Sequence, residues 1–150
     1  MGNLPYGNTT VPATKSIGDI MGLLQTVGFN KTAQFYSDGR HIVLAEHDGI
    51  QFRWEAKTGA IIQALQPQRR RTRRTIDYKD QALRIAWRVL WHQIKVACDI
   101  IRYEVQDVAE VFGGNLIYND PKHGEISLAQ YITNEAASGK IQLPQIEAPK

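Results

Sequence analysis

The 150 residues predict a single α+β domain: a three-stranded antiparallel meander packed on helices, followed by one long helix and a short C-terminal helix. Three observations predict it. Two Asp-Gly pairs, Asp38-Gly39 and Asp48-Gly49, punctuate one apolar region. Such a pair marks a two-residue hairpin turn, because both central residues must take positive φ. Apolar residues recur at helical spacing on both sides of that region. From Asp77 to Phe112 a third periodic stretch runs with no Pro or Gly in it.

The length suffices for one hydrophobic core and is short for two. At 43% hydrophobic and 22% charged residues, the composition excludes a wholly disordered chain. No run approaches the ~18 unbroken apolar residues of a spanning helix, so no membrane association is expected. Met1 to Pro12 lacks a basic stretch followed by an apolar one, so no secretory leader is expected. Cys98 is the one cysteine, which excludes an intrachain disulfide and an all-cysteine zinc site. A reducing, cytoplasmic setting follows as the expectation.

Element by element, residues 1–14 are rich in Gly, Asn, Thr and Pro and read as a flexible arm, ahead of a domain at 15–138. Ser16 is the expected N-cap of the first helix, with Asp19 in the capping-box position. Ile17, Ile20, Met21, Leu24 and Val27 form its apolar stripe, and Gly28 ends it. Gly18 and Gly22 each weaken this helix by about 1 kcal/mol relative to Ala, so packing must hold it. Strands are expected near 32–36, 41–46 and 50–55. In the third, Ile50, Phe52 and Trp54 alternate with Gln51, Arg53 and Glu55, which assigns one face to the core. A second helix is expected over 58–66, carrying Ile61, Ile62 and Leu65, with Pro67 closing it.

The third helix is expected over 77–112. Its stripe runs through Leu83, Trp87, Leu90, Ile94, Ala97, Ile101, Val105, Val108 and Phe112, close to a coiled-coil seam. A second stripe, Ile85, Val89, Val96 and Ile100, widens the apolar face. Such a helix would be roughly 54 Å long. A compact domain of this size is only about 40 Å across. The excess predicts a homo-oligomer, with Trp87, Leu90, Ile94 and Ile101 at or near the contact. Asn119-Asp120-Pro121 then reads as a turn. Ser127 with Gln130 caps a short helix over 128–138, Gly139 stops it, and 139–150 form a loose tail.

Charge is distributed unevenly. Residues 1–66 are balanced, residues 67–95 carry nine basic and two acidic side chains (net +7), and residues 96–150 are net −4. Five arginines, Arg69, Arg70, Arg71, Arg73 and Arg74, fill six positions. A guanidinium offers planar, bidentate recognition of phosphate oxygens, and the following helix N-terminus also favours anions. Lys79, Arg84 and Arg88 continue the basic strip into the helix, and Arg53 projects from the uncovered sheet face. These nine residues are the expected nucleic-acid contacts. A solvated linker, or a contact to the acidic part of another subunit, would use the same arginines differently. Phe35, Tyr36, Phe52 and Trp54 are aromatic enough to stack bases, but on a sheet covered by helices they read as core. His41, His47, His92 and His123 show no metal-ligand spacing with each other or with Cys98, so neither metal nor cofactor is expected. No catalytic motif is present, and Asp99, Asp107 and Glu110 read as a solvated helix face, so the chain is expected to be no enzyme.

Several segments carry a resemblance. VPATKSIGDIMGLLQTVGF, IQFRWEA, QALRIAWRVLWHQIKVACDIIRYEV and VAEVF resemble small proteins of bacteriophage and prophage genomes. These share a VPA start, a sheet ending in an apolar segment and a long helix containing AWR. The likeness covers about residues 10–118. Trp54-Glu55-Ala56 stands where that family carries Leu-Pro-Ala. The resemblance implies a phage or prophage setting and no particular activity. The order helix–three strands–helix over 16–66 also matches double-stranded RNA-binding domains. The basic helix start of those domains is missing at Lys57-Thr58-Gly59, which leaves a shared topology alone.

The expected function is non-enzymatic, sequence-tolerant nucleic-acid binding, DNA rather than RNA, in phage replication, recombination or packaging. The alternatives are a protein that binds and inhibits a host defence factor, and a nucleotide-binding oligomer with arginines at a subunit boundary.

Overall fold

The computed structural model describes residues 5–69 and 78–141. Its first helix, α1 (Ala13–Thr26), begins four residues earlier than an N-cap at Ser16 predicts. Pro12 occupies the N-cap position and no side chain caps the helix. Ser16 is instead fully buried inside it. Residues 5–12, expected as a loose arm, follow a turn closed by Thr9 N–H donating to the Tyr6 carbonyl (2.9 Å). The Gln81 side-chain amide donates to the carbonyls of Gly7 and Thr9, both at 3.1 Å, and so ties this segment to a later helix.

At its other end α1 stops where expected. Gly28 takes φ +98°, Phe29 N–H returns to the Leu24 carbonyl and Gly28 N–H to that of Gln25. This is a Schellman closure, and its left-handed residue is the glycine. Ile17, Ile20 and Leu24 are fully buried. Each such side chain contributes about 1.5–3 kcal/mol by leaving water, which offsets the two helical glycines. A Cβ added at Gly18 or Gly22 would meet nothing within 4 Å, and both residues are exposed. Gly18→Ala and Gly22→Ala are therefore expected to stabilise the fold by about 1 kcal/mol each, read as a rise in urea midpoint at constant m-value.

The meander forms as predicted, with β1 (Lys31–Ser37), β2 (Arg40–His47) and β3 (Ile50–Trp54) in the order β1-β2-β3. Asp38 and Gly39 have φ +52° and +74°, and Asp48 and Gly49 have +50° and +77°. Both turns thus have the all-positive backbone that matches strand twist. The register pairs Val43 with Trp54 and Ala45 with Phe52, placing these four buried residues on one face. On the opposite face Ala33 pairs with Leu44 and Phe35 with Ile42.

Helix α2 (Gly59–Arg69) runs past Pro67, which was expected to close it. A proline removes one amide donor, and this one falls in the last turn, where a single lost bond does not end the helix. Helix α3 (Tyr78–Arg102) is 25 residues, not 36. Val105 N–H returns to the Ile100 carbonyl and Glu104 N–H to that of Ile101, with Glu104 at φ +56°. This is the same Schellman closure with no glycine in it. A fresh helix, α4 (Val108–Phe112), then starts on a full capping box between Asp107 and Glu110. The interrupted helix spans about 38 Å, so it fits the body and leaves no overhang. After a short 3₁₀ turn, β4 (Ile117–Asp120) and β5 (Gly124–Ser127) form a hairpin where Asn119-Asp120-Pro121 by itself predicts a turn. Helix α5 (Leu128–Ala137) follows, capped by Ser127 and stopped at Gly139 as expected.

One core joins the α1 stripe, the inner sheet face and α3. Phe29 packs edge-on against Phe52, Trp54 and Phe112, with ring centroids 5.3, 5.7 and 6.0 Å apart. A smaller cluster joins α2 to α3 through Leu65, Ala82 and Ile85. Among the described residues no helix is long and apolar enough to cross a membrane.

Candidate nucleic-acid interface

The arginine-rich stretch connects the C-terminus of α2 to the N-terminus of α3. Those two helices are held together by Leu65 against Ala82 and Ile85, with Ile61, Ile62 and Tyr78 packed around them. The side chain of Arg69 and the whole of Arg70, Arg71, Arg73 and Arg74 lie outside the described residues.

The remaining predicted contacts are placed, and three of them meet carboxylates of the same chain. Arg84 reaches Asp80 one turn earlier at 3.1 Å. Arg88 lies 3.6 Å from Asp19 and 3.5 Å from the hydroxyl of buried Ser16, both on α1. Its guanidinium also covers the Trp91 ring at 3.9 Å from the centroid. Lys95 approaches the same ring at 5.2 Å. Arg88 is thus a strut between α1 and α3, with only 19% of its side chain exposed. Lys79 sits in the first turn of α3 and is exposed.

Arg53 does project from the sheet face opposite the core, as the alternation predicts. There it donates to Glu55 at 3.0 Å and to the Glu125 carbonyl at 3.4 Å. Arg40 joins it with two bonds to the Glu55 carboxylate, one of 2.9 Å. Together with Lys57, Asn115, Glu125 and Ser127, these groups line a cleft of about 570 Å³ between the sheet and the β5–α5 region. Its lining holds three cations, Arg40, Arg53 and Lys57, and two carboxylates, Glu55 and Glu125, with Glu55 shared between the two arginines. Arg40 makes two bonds to Glu55 and Arg53 one, so Arg40, which no motif in the sequence marks, is the closer partner of that carboxylate. Its cross-strand partner Glu55 stands fifteen residues away, a spacing that no local pattern reveals.

The Arg40 and Arg53 guanidiniums hold the Glu55 carboxyl below its ordinary range, hydrogen bonding from Arg40 being the largest cause. A carboxyl with a depressed folded pKa contributes stability above its unfolded value of about 4.3, and loses that contribution as pH falls through the folded value. Glu55→Gln is therefore expected to lower stability at neutral pH. Below about pH 4.3 its stability profile should fall less steeply than the parent's, measured as urea midpoints over a pH series.

Two groups of side chains turn out to do other work. Phe52 and Trp54, each 2% exposed, belong to the core and offer no stacking platform. Trp87 (0% exposed) and Ile94 (1%), expected at an oligomer contact, are consumed by the chain's own core. Leu90 and Ile101 pack half-buried against that same core. The stripe read as a coiled-coil seam is the face of α3 that meets α1 and the sheet, which is why it is apolar. Phe35 (52%) and Tyr36 (66%) are the aromatic residues the sheet leaves exposed. They point to opposite faces of β1, and Tyr36 lies beside His41 at 4.7 Å. Among the described residues no three His, Cys, Asp or Glu side chains converge as metal ligands. His123 and Asp120 meet at 2.8 Å in the β4–β5 turn, where Asp120 also accepts from the Lys122 amide at 3.0 Å. Comparison with protein families, with curated proteins and with solved structures returns no match.

Proposed function

We propose that this chain is a non-enzymatic, sequence-tolerant nucleic-acid-binding protein of phage or prophage origin, gripping phosphates through Arg69, Arg70, Arg71, Arg73 and Arg74. The observation that carries this reading is the concentration of five arginines in six positions within a region of net +7. Like charges at that density repel, and an anionic polymer relieves the repulsion while releasing its own counterions. Supporting it, Arg53, Arg84 and Arg88 already meet carboxylates of the chain, so the phosphate contacts centre on the segment between α2 and α3. Phosphate contacts carry no base information, hence the tolerance of sequence.

The test is oligonucleotide binding over a salt series, with single- and double-stranded DNA and RNA of the same sequence. Binding that weakens steeply with salt and differs little between base sequences supports the reading. No binding to any of them at 50 mM salt, a condition where phosphate contacts are strong, counts against it. The arginines would then fit an acidic protein partner better.

A further inference from the structure

We propose that β1 is an assembly edge, pairing antiparallel with β1 of a second copy to make one continuous six-stranded sheet. The two edges of the three-stranded sheet are treated differently. Beside β3, Phe52 bridges to Leu116 and the Asn115 side chain donates to the Arg53 carbonyl at 3.1 Å, so that edge is covered. Beside β1 no strand pairs among the described residues. Its seven residues present roughly 23 Å of unpaired backbone.

Natural edge strands are blunted by proline, bulges, charges or short length. Lys31-Thr32-Ala33-Gln34-Phe35-Tyr36-Ser37 has neither proline nor charge beyond its first residue. Its pairing with β2 is continuous over all seven positions, so no bulge twists it away. The face behind it is apolar: Ala33 and Phe35 lie opposite Leu44 and Ile42 on the side of the sheet away from the core. An edge left unpaired among the described residues, beside a partly exposed apolar patch in which Phe35 is open to solvent, is a template for another strand.

A second copy fits this edge because the strand is self-complementary. A two-fold axis perpendicular to the sheet keeps each face on its own side, so residues pair only with others of the same face. Centred on Gln34, that symmetry sets Lys31 against Ser37, Thr32 against Tyr36, Ala33 against Phe35 and Gln34 against itself. All seven residues pair. The Gln34 amide nitrogen lies 3.3 Å from His41 Nδ1, which leaves its carbonyl and its other N–H to meet Gln34 of the second copy. Each Phe35 covers the small Ala33 of the other copy, joining the two apolar faces. Each end brings Lys31, which lies 3.3 Å from Glu46 of its own chain, beside the Asp38 turn of the other copy. This surface is independent of the arginine segment, so its failure and the failure of nucleic-acid binding are read separately.

The test is cysteine cross-linking in the full chain. Cys98 is buried and its thiol is pushed up to about 11, so it stays out of exchange at neutral pH. Gln34→Cys places a thiol on the two-fold axis and is expected to convert most of the chain to a covalent dimer under mild oxidation. Ser37→Cys on the same strand lies roughly 20 Å from its symmetry mate and is expected to stay monomeric. By light scattering the parent should exceed 16.9 kDa at micromolar concentration, and Phe35→Lys should raise the dissociation constant at least tenfold. Phe35 is exposed, so an unchanged circular dichroism spectrum is expected for that variant. A parent that remains monomeric at tens of micromolar overturns the proposal. So does equal cross-linking of Gln34→Cys and Ser37→Cys, or a dimer that cross-links through Val96→Cys on α3 in place of Gln34→Cys.

Discussion

Replacing Arg69, Arg70, Arg71, Arg73 and Arg74 with Gln is expected to remove most of the oligonucleotide affinity and nearly all of its salt dependence. If each arginine displaces one counterion from duplex DNA, the slope of log affinity against log salt is about −4.5. The parent should then bind roughly 500-fold more weakly at 200 mM than at 50 mM salt, which is an upper bound for one protomer. The quintuple variant should show a shallow line at low affinity. Arg88→Gln serves as the contrast. It breaks the contacts to Asp19, Ser16 and Trp91, so its effect should fall on the α1–α3 packing and the unfolding midpoint, with the salt slope little changed. Fluorescence anisotropy across salt measures the slopes, and urea unfolding measures the midpoints. A quintuple variant that binds as tightly as the parent would reject the arginine segment as the phosphate grip.

Trp87→Ala is expected to cost about 3–5 kcal/mol, the range for emptying a buried aromatic site. That is a large share of the roughly 5–15 kcal/mol that holds a typical domain together. Trp87 is fully buried in the cluster shared by α1, the sheet and α3. Its indole N–H finds no acceptor among the described residues. Trp87→Phe removes that orphan donor while keeping much of the ring, so it should cost clearly less than the alanine variant. Urea midpoints with unchanged m-values would report both. A Trp87 placed at a subunit boundary would behave differently. Its loss would lower the oligomer mass and leave monomer stability nearly untouched.

How much of this fold is legible in the chain depends on the range of the physics involved. The Asp38-Gly39 and Asp48-Gly49 turns, the stops at Gly28 and Gly139, and the alternation of Ile50, Phe52 and Trp54 were all readable. Each expresses a demand made within two to five residues: a positive φ, a cap, or a side of the pleat. The interruption of the long helix was only half readable. Asp107 and Glu110 form a capping-box pattern in the sequence, yet Val105, Val108 and Phe112 carry the apolar period straight across it. Glu104 adopts a left-handed backbone where the usual marker is glycine.

The arginines divide along the same line. The sequence by itself determined that positive charge gathers between the second and third helices, because composition and order are all that net charge requires. Only the tertiary structure decided which cations are already committed. Arg88 meets Asp19 across 69 residues of chain, and the Arg53 side chain meets the Glu125 carbonyl across 72. It also decided that the stripe of Trp87 and Ile94 faces inward and that, among the described residues, the unpaired sheet edge belongs to β1. A periodic apolar face says that something covers it. What covers it depends on where distant elements meet, and that is set by the packing of the whole chain around one core.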